Sequence, residues 1–204
     1  MTAGDYVVHI VDDEESVRKS LAFLLTVEGF AVRLHDSARA FLALAPDIRR
    51  GCLVTDLRMP EMDGVELLRT LRERAIRIPT IVITGHGDVP MAVAAMKAGA
   101  LDFIEKPFED QVIIDSIRRA AETIDEAGSD DAQAVTRRLA TLTDREREIL
   151  SGIVAGHPNK TIGYDLDISP RTVEVHRANI MTKMEAKNLA ELVRMAIAVG
   201  VLGR

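Results

Sequence analysis

Short, almost wholly apolar runs recur along the first part of the chain, at 6–11, 31–34, 52–55, 80–83 and 100–104. Between them, apolar residues fall at helical spacing over about 15–28, 37–45, 63–73 and 90–98, and a fifth such segment follows Pro107. Four of the runs have no polar face, as parallel strands covered on both sides by helices require. The run at 31–34 carries Arg33 and reads as an edge strand. Five strands alternating with five helices predict an α/β, flavodoxin-like fold with a five-stranded parallel sheet of order 2-1-3-4-5.

The pattern changes near residue 127. Gly128-Ser129-Asp130-Asp131 breaks the fifth helix, and residues 126–140 read as a linker, helical in part over 131–140. No strand pattern follows. Thr143-Asp144-Arg145-Glu146 is a capping box that opens a helix to about Ala155. A short helix is expected over 159–166. Ser169-Pro170 starts another, reaching about Met184. Asn188 and Glu191 form a further capping box for a helix near 189–198. The chain thus divides into an α/β domain over 1–125, the linker, and an all-α four-helix domain over 141–204.

Composition changes this picture little. The 204 residues are 47% hydrophobic but only 3% aromatic, so aliphatic packing must build both cores. A single cysteine, Cys52, makes no internal disulfide, which fits a reducing cytoplasm. No apolar run approaches the roughly 18 residues of a membrane span, and no secretory leader opens the chain, so no membrane segment is expected. The net charge of −6 is concentrated in the first domain, whereas residues 169–204 hold three acidic and six basic residues. That asymmetry points to different partners for the two domains.

The order of the sheet decides which residues meet. Strands 1 and 3 are neighbours at its switch point, and sites form beyond the carboxyl ends of the strands there. Strand 1 ends in Asp12 and Asp13, strand 3 in Asp56, strand 4 in Thr84 and strand 5 in Lys106. Three carboxylates so close repel one another, and a hard cation with oxygen ligands, Mg²⁺ above all, relieves the repulsion. A carboxylate beside such a cation is a nucleophile toward phosphorus, and an ammonium and a hydroxyl offset charge on the transferring group. Singly, each residue has a plainer reading. Asp56 could cap a turn, Asp12 and Asp13 could favour the dipole of the next helix, and Lys106 could be a loop lysine. Their joint placement favours phosphoryl transfer onto Asp56.

These residues carry a resemblance. VDDEE, TDLRMPEMDG, ITGHGD and AGALDFIEKPF, at their spacing over about residues 5–125, resemble the receiver domain of two-component response regulators. The resemblance implies that Asp56 is the phosphoacceptor. It implies that Asp12, Asp13, Asp56 and the backbone carbonyl of Arg58 hold Mg²⁺, and that the Lys106-Pro107 bond is cis. It gives Thr84 and Phe103 the parts of a switch, in which the hydroxyl moves onto the phosphoryl group and the ring turns inward. Many members have Tyr where this chain has Phe103, so a hydroxyl is missing from that switch. A competing reading, a phosphatase of the haloacid-dehalogenase kind, would need a second Asp two residues beyond the first, where Arg58 stands.

In the second domain, a helix, a tight turn and SPRTVEVHRANIMTKM at 169–184 read as a helix-turn-helix whose second helix enters the major groove. On a helical wheel Val173, Ile180 and Met184 share the core stripe. Arg171, Glu174, Val175, Ala178 and Thr182 face away from it, suited to base edges and thymine methyls. Thr172, Asn179 and Lys183 line a flank suited to phosphates, as does Lys160 at the start of the preceding helix. Arg177 is expected to lay its stem along the surface. His176 suits packing or DNA contact equally. An all-helical module that binds protein instead of DNA is the plainer alternative. LTDREREIL followed by VAGHPNKTIGYDLDISPRTVEVHRANIMTKM resembles the LuxR/FixJ-type DNA-binding domain over about 140–204, and argues for DNA. In that family the last helix often carries dimer contacts, for which Leu189, Leu192, Val193 and Ala196 offer an apolar stripe.

Together the two domains resemble the NarL/FixJ class of transcription regulators, and the wording is most similar to those that control nitrogen-fixation genes. That implies a transcriptional activator phosphorylated by a sensor histidine kinase of the haem-based, oxygen-sensing kind. Phosphorylation would remodel the face formed by helix 4 and strand 5, about 89–105, whose exposed apolar residues would pair two receivers as a homodimer. The dimer would bind duplex DNA with two half-sites and act on RNA polymerase at nitrogen-fixation and microaerobic promoters.

Overall fold

The computed structural model of the chain describes residues 6–85, 89–125 and 131–201. Contacts group the chain into two compact units, one of Met1–Gly87 with Ala98–Ala127 and one of Asp88–Lys97 with Gly128–Arg204.

The strands are β1 (Val7–Val11), β2 (Ala31–His35), β3 (Gly51–Asp56), β4 (Thr80–Thr84) and β5 (Asp102–Glu105). They form one parallel sheet in the order β2-β1-β3-β4-β5. The helices between and after them are α1 (Glu15–Val27), α2 (Ala38–Leu44), α3 (Gly64–Glu73), α4 (Val89–Ala98) and α5 (Asp110–Asp125). The central strands are buried on both faces. Val8, Ile10, Cys52, Val54, Ile81 and Ile83 pack toward Leu21, Leu25, Ile113 and Ile117 on one side. Val11 and Leu53 pack toward Phe41, Leu67 and Leu71 on the other. Each such aliphatic side chain contributes about 1.5–3 kcal/mol by leaving water, so the aromatic-poor composition suffices. β2 is the edge, with Arg33 and Leu34 exposed.

Besides most of α4, the second unit holds α6 (Asp131–Ala140), α7 (Asp144–Ala155), α8 (Asn159–Asp165), α9 (Pro170–Met184) and α10 (Leu189–Ala198). The helical part expected in the linker is α6, and it packs against α9 and α10. Residues 126–130 lie outside the described residues. The capping box of α7 is complete, with Thr143 and Glu146 each accepting from the other's backbone N–H. That of α10 is rearranged. Asn188 accepts from the Glu191 N–H, but Glu191 reaches past Asn188 to accept from the Lys187 N–H at 2.8 Å.

One expectation about an apolar face is corrected. Leu192, Val193 and Ala196 of α10 are fully buried within the domain, so they build its core and offer no dimer surface. Over 89–105, no large apolar residue is exposed among the described residues. Ala92, Val93, Ala95 and Met96 are buried.

Candidate functional site

At the carboxyl end of the sheet, register places the ends of β1, β3, β4 and β5 side by side. Val11 pairs with Thr55, Asp56 with Ile83, and Thr84 with Glu105. Leu57 continues β3 by donating its N–H to the Ile83 carbonyl at 2.9 Å. Gly64 then starts α3 against the back of Asp56. A Cβ on Gly64 would stand 2.7 Å from the Asp56 carbonyl oxygen, so glycine is required by this close approach.

Lys106 ties the carboxylates together. Its Nζ donates to Asp56 Oδ1 at 3.0 Å and to Asp12 Oδ2 at 3.4 Å. The second oxygen of Asp56 accepts from the Arg58 N–H at 2.7 Å, and Asp12 Oδ1 accepts from the Glu14 N–H at 2.8 Å. Burial, with the charge of Asp56 added, holds the Asp12 carboxyl above its ordinary pKa, against the Glu14 N–H and Lys106. Burial alone would lower the Lys106 ammonium, but Asp56 and then Asp12 outweigh it and raise its pKa. The Lys106 ammonium therefore stays charged between the two carboxylates. The Lys106-Pro107 bond is cis, as the resemblance implied. Thr84 is buried at the end of β4, its carbonyl accepting from the Lys106 N–H at 2.7 Å, and Phe103 is half-buried on β5.

Asp13 is exposed beside this pair. Among the described residues no three His, Cys, Asp or Glu side chains are grouped to hold a metal. The donor chemistry nonetheless fits Mg²⁺. Every candidate ligand is a hard oxygen, and the buried Asp12 and its neighbour Asp56 share one ammonium.

Sequence reasoning missed two neighbours of this site. Arg18 of α1 donates to the Asp12 carbonyl at 2.6 Å and fixes the acidic loop. A groove of about 550 Å³ runs from Lys106 and Phe108 along Ser20, Phe23, Leu24 and Val27 of α1. Phe23 and Val27 are largely exposed. They sit four residues apart on the face opposite Leu21 and Leu25, and a helical wheel of α1 carries that signal.

In the second unit, α8 and α9 form the helix-turn-helix. Asp167 turns the chain at φ 53°, and Ser169 caps α9 by accepting from the Thr172 N–H at 3.0 Å. A Cβ on Gly163 would lie 2.7 Å from the Ile168 carbonyl oxygen, so the turn closes tightly on α8. Val173, Ile180 and Met184 are fully buried. Arg171, Glu174, Val175, Ala178, Asn179 and Thr182 are exposed, and so is Lys160 on α8. Thr182 Oγ1 donates to the Ala178 carbonyl at 3.1 Å, and the Thr172 hydroxyl shares a hydrogen bond with Ser169 Oγ.

Lys183 departs from its expected place on a free phosphate-binding flank. Its ammonium donates to the buried Glu146 at 2.7 Å, and this bond is the leading cause that lowers the Glu146 pKa. The partner lies 37 residues away in sequence, on α7. Arg177 is half-buried, and its guanidinium donates to Asn159 Oδ1 at 2.9 Å, joining α9 to α8. His176 is half-buried, with Nδ1 lacking a hydrogen-bond partner.

Comparison with known proteins assigns a family to each domain. Residues 8–118 match the response regulator receiver domain, and residues 140–196 match bacterial regulatory proteins of the luxR family. The chain belongs to the response regulators. It is 70% identical over 198 residues to the transcriptional regulatory protein FixJ of Rhizobium meliloti (strain 1021), covering 96% of this chain and 97% of that one. Identity to FixJ of Azorhizobium caulinodans is 55%, covering 95% and 93%. Full-length FixJ from B. japonicum is similar in structure at a TM-score of 0.58 and 47% identity, covering 98% of this chain and 100% of that one. This response regulator is thus a phosphorylation-activated transcriptional regulator, with a receiver and a LuxR-type DNA-binding domain on one chain.

Proposed function

We propose that Asp56 is the phosphoacceptor and that its phosphorylation by a sensor histidine kinase pairs two chains on a two-half-site operator. The observation that carries this reading is the Lys106 ammonium held between Asp56 and Asp12. Asp56 Oδ attacks the phosphorus of a phosphohistidine, the P–N bond breaks, and the imidazole leaves with a proton from solvent. Lys106 moves from carboxylate to phosphoryl oxygen and offsets its charge. Arg58 orients the nucleophile through its backbone N–H, and Arg18 holds the Asp12 loop in place. Asp12, Asp13, Asp56 and the Arg58 carbonyl are the residues that would hold Mg²⁺, which supplies charge neutralisation at the phosphoryl group. The groove along Phe23 and Val27 receives the kinase, since it opens at Lys106.

Thr84 then turns toward the phosphoryl group and Phe103 follows inward. These residues end or lie on the neighbouring strands β4 and β5. The receivers pair as a homodimer, and each DNA-binding domain gains a high effective concentration beside its partner. Arg171, Glu174, Val175, Ala178 and Thr182 face the major groove. Lys160, Thr172 and Asn179 approach phosphates, while Lys183 positions α9 through Glu146. The protein acts in the cytoplasm and stimulates RNA polymerase at promoters of nitrogen-fixation and microaerobic genes. The test is mass spectrometry after exposure to a small phosphodonor with Mg²⁺. One phosphoryl group on the Asp56 peptide supports the reading, and the same gain in Asp56→Asn overturns it.

A further inference from the structure

The helix-turn-helix carries a side chain that neither phosphoryl transfer nor base reading uses. Tyr164 on α8 is 87% exposed, the most exposed large hydrophobic side chain among the described residues. Ile162 faces into the domain, and Tyr164, two residues on, points to the opposite side. It shares that stripe with Lys160, one turn earlier. The two ends of the stripe differ in charge. Lys160 stands at the first turn, whereas exposed Asp165 and Asp167 follow Tyr164 at the other end. The Tyr164 end is also rigid. The Asp167 N–H donates to the Tyr164 carbonyl at 3.3 Å, and the Ile168 N–H donates to the Gly163 carbonyl at 2.9 Å.

Two exposed acids, one and three residues after the exposed ring, repel DNA phosphates. Ring and acids suit an arginine or lysine, through cation–π contact with the ring and ion pairs with the acids. Tyrosine in a preorganised setting is a common anchor of protein interfaces. The turn from α8 leads directly into α9, so a protein on DNA beside the operator comes within reach of this stripe. Resting on the activator reading above, we propose that Tyr164, with Asp165 and Asp167, grips a basic segment of promoter-bound RNA polymerase.

The test uses the phosphorylated full-length chain, operator-bearing promoter DNA and purified RNA polymerase. Tyr164→Ala should bind operator within about twofold of wild type yet lose transcript yield by about tenfold or more, the scale of an interface anchor. Tyr164→Phe should retain most activation, because the ring remains. A parallel fall in operator affinity would make Tyr164 a DNA contact and overturn the proposal. Unchanged transcription by Tyr164→Ala would overturn it as well. A wild-type chain that fails to raise transcription in the same reaction would overturn the activator reading, and the proposal with it.

Discussion

His9 of β1 and His35 of β2 form a buried pair whose titration should set the acid limit of the receiver's stability. His9 Nδ1 and His35 Nε2 are 3.0 Å apart, their rings stack at 5.3 Å, and Phe41 meets both edge-on. One N–H and one lone pair make the bond, so it is lost once both rings are protonated. Burial, then the charges of His35 and Arg33, push His9 down to about 4, and burial and Arg33 lower His35 as well. A histidine depressed in the fold binds fewer protons folded than unfolded between about pH 6.5 and 4. Its contribution is therefore present above the unfolded pKa and is lost as pH falls through that window. At 1.36 kcal/mol per unit, lowering pH from 7 to 5 should remove about 2 kcal/mol through His9 alone. The assay is urea unfolding at both pH values, with the receiver transition read from exchange protection of β1 and β3 peptides. His9→Phe should lose about 1–3 kcal/mol at pH 7, by orphaning a His35 nitrogen. Its loss between pH 7 and 5 should be smaller than wild type's by about 2 kcal/mol. Equal losses in the two proteins would refute the reasoning.

Three further outcomes follow from the sites. Gly64→Ala forces a methyl against the Asp56 carbonyl oxygen, so the receiver should lose about 1–3 kcal/mol in urea unfolding, with slower uptake of phosphoryl from a small donor. Phe23→Glu places a charge in the α1 groove, so phosphotransfer from the kinase should slow by about tenfold while small-donor phosphorylation keeps its rate. Arg171→Ala should weaken operator binding by about 1–3 kcal/mol, read by titration of labelled duplex. If its loss is instead equal on all sequences and lowers the salt slope by about one, Arg171 is a phosphate contact.

The sheet was legible because its strands are buried on both faces, which leaves no polar period to confuse β3 or β4. The candidate site was legible because strand order alone brings Asp12, Asp56 and Lys106 to one edge, and the structure joins them through one ammonium. Element ends were less so. The run expected at 100–104 forms a strand only over Asp102–Glu105, since Ala100 and Leu101 still connect from α4. What sequence could not decide was which neighbour an ambiguous side chain meets. Leu192, Val193 and Ala196 make the same stripe whether they face a partner or a core, and packing against the other helices chose the core. Lys183 reads as a phosphate ligand until Glu146 is brought across from α7. The His9–His35 pair spans 26 residues and has no local pattern at all. Phe23 and Val27 carried a signal, an apolar pair on the wrong side of α1, that the search for core stripes passes over.

The central claim is that phosphorylation of Asp56 converts the chain into a DNA-binding pair. Sedimentation of the full-length protein, with and without a small phosphodonor and Mg²⁺ and then with operator duplex, tests it directly. Wild type should pass from monomer to dimer on phosphorylation and occupy both half-sites, and Asp56→Asn should remain monomeric under the same conditions. An Asp56→Asn protein that dimerises and fills the operator in response to phosphodonor, as wild type does, would contradict the account.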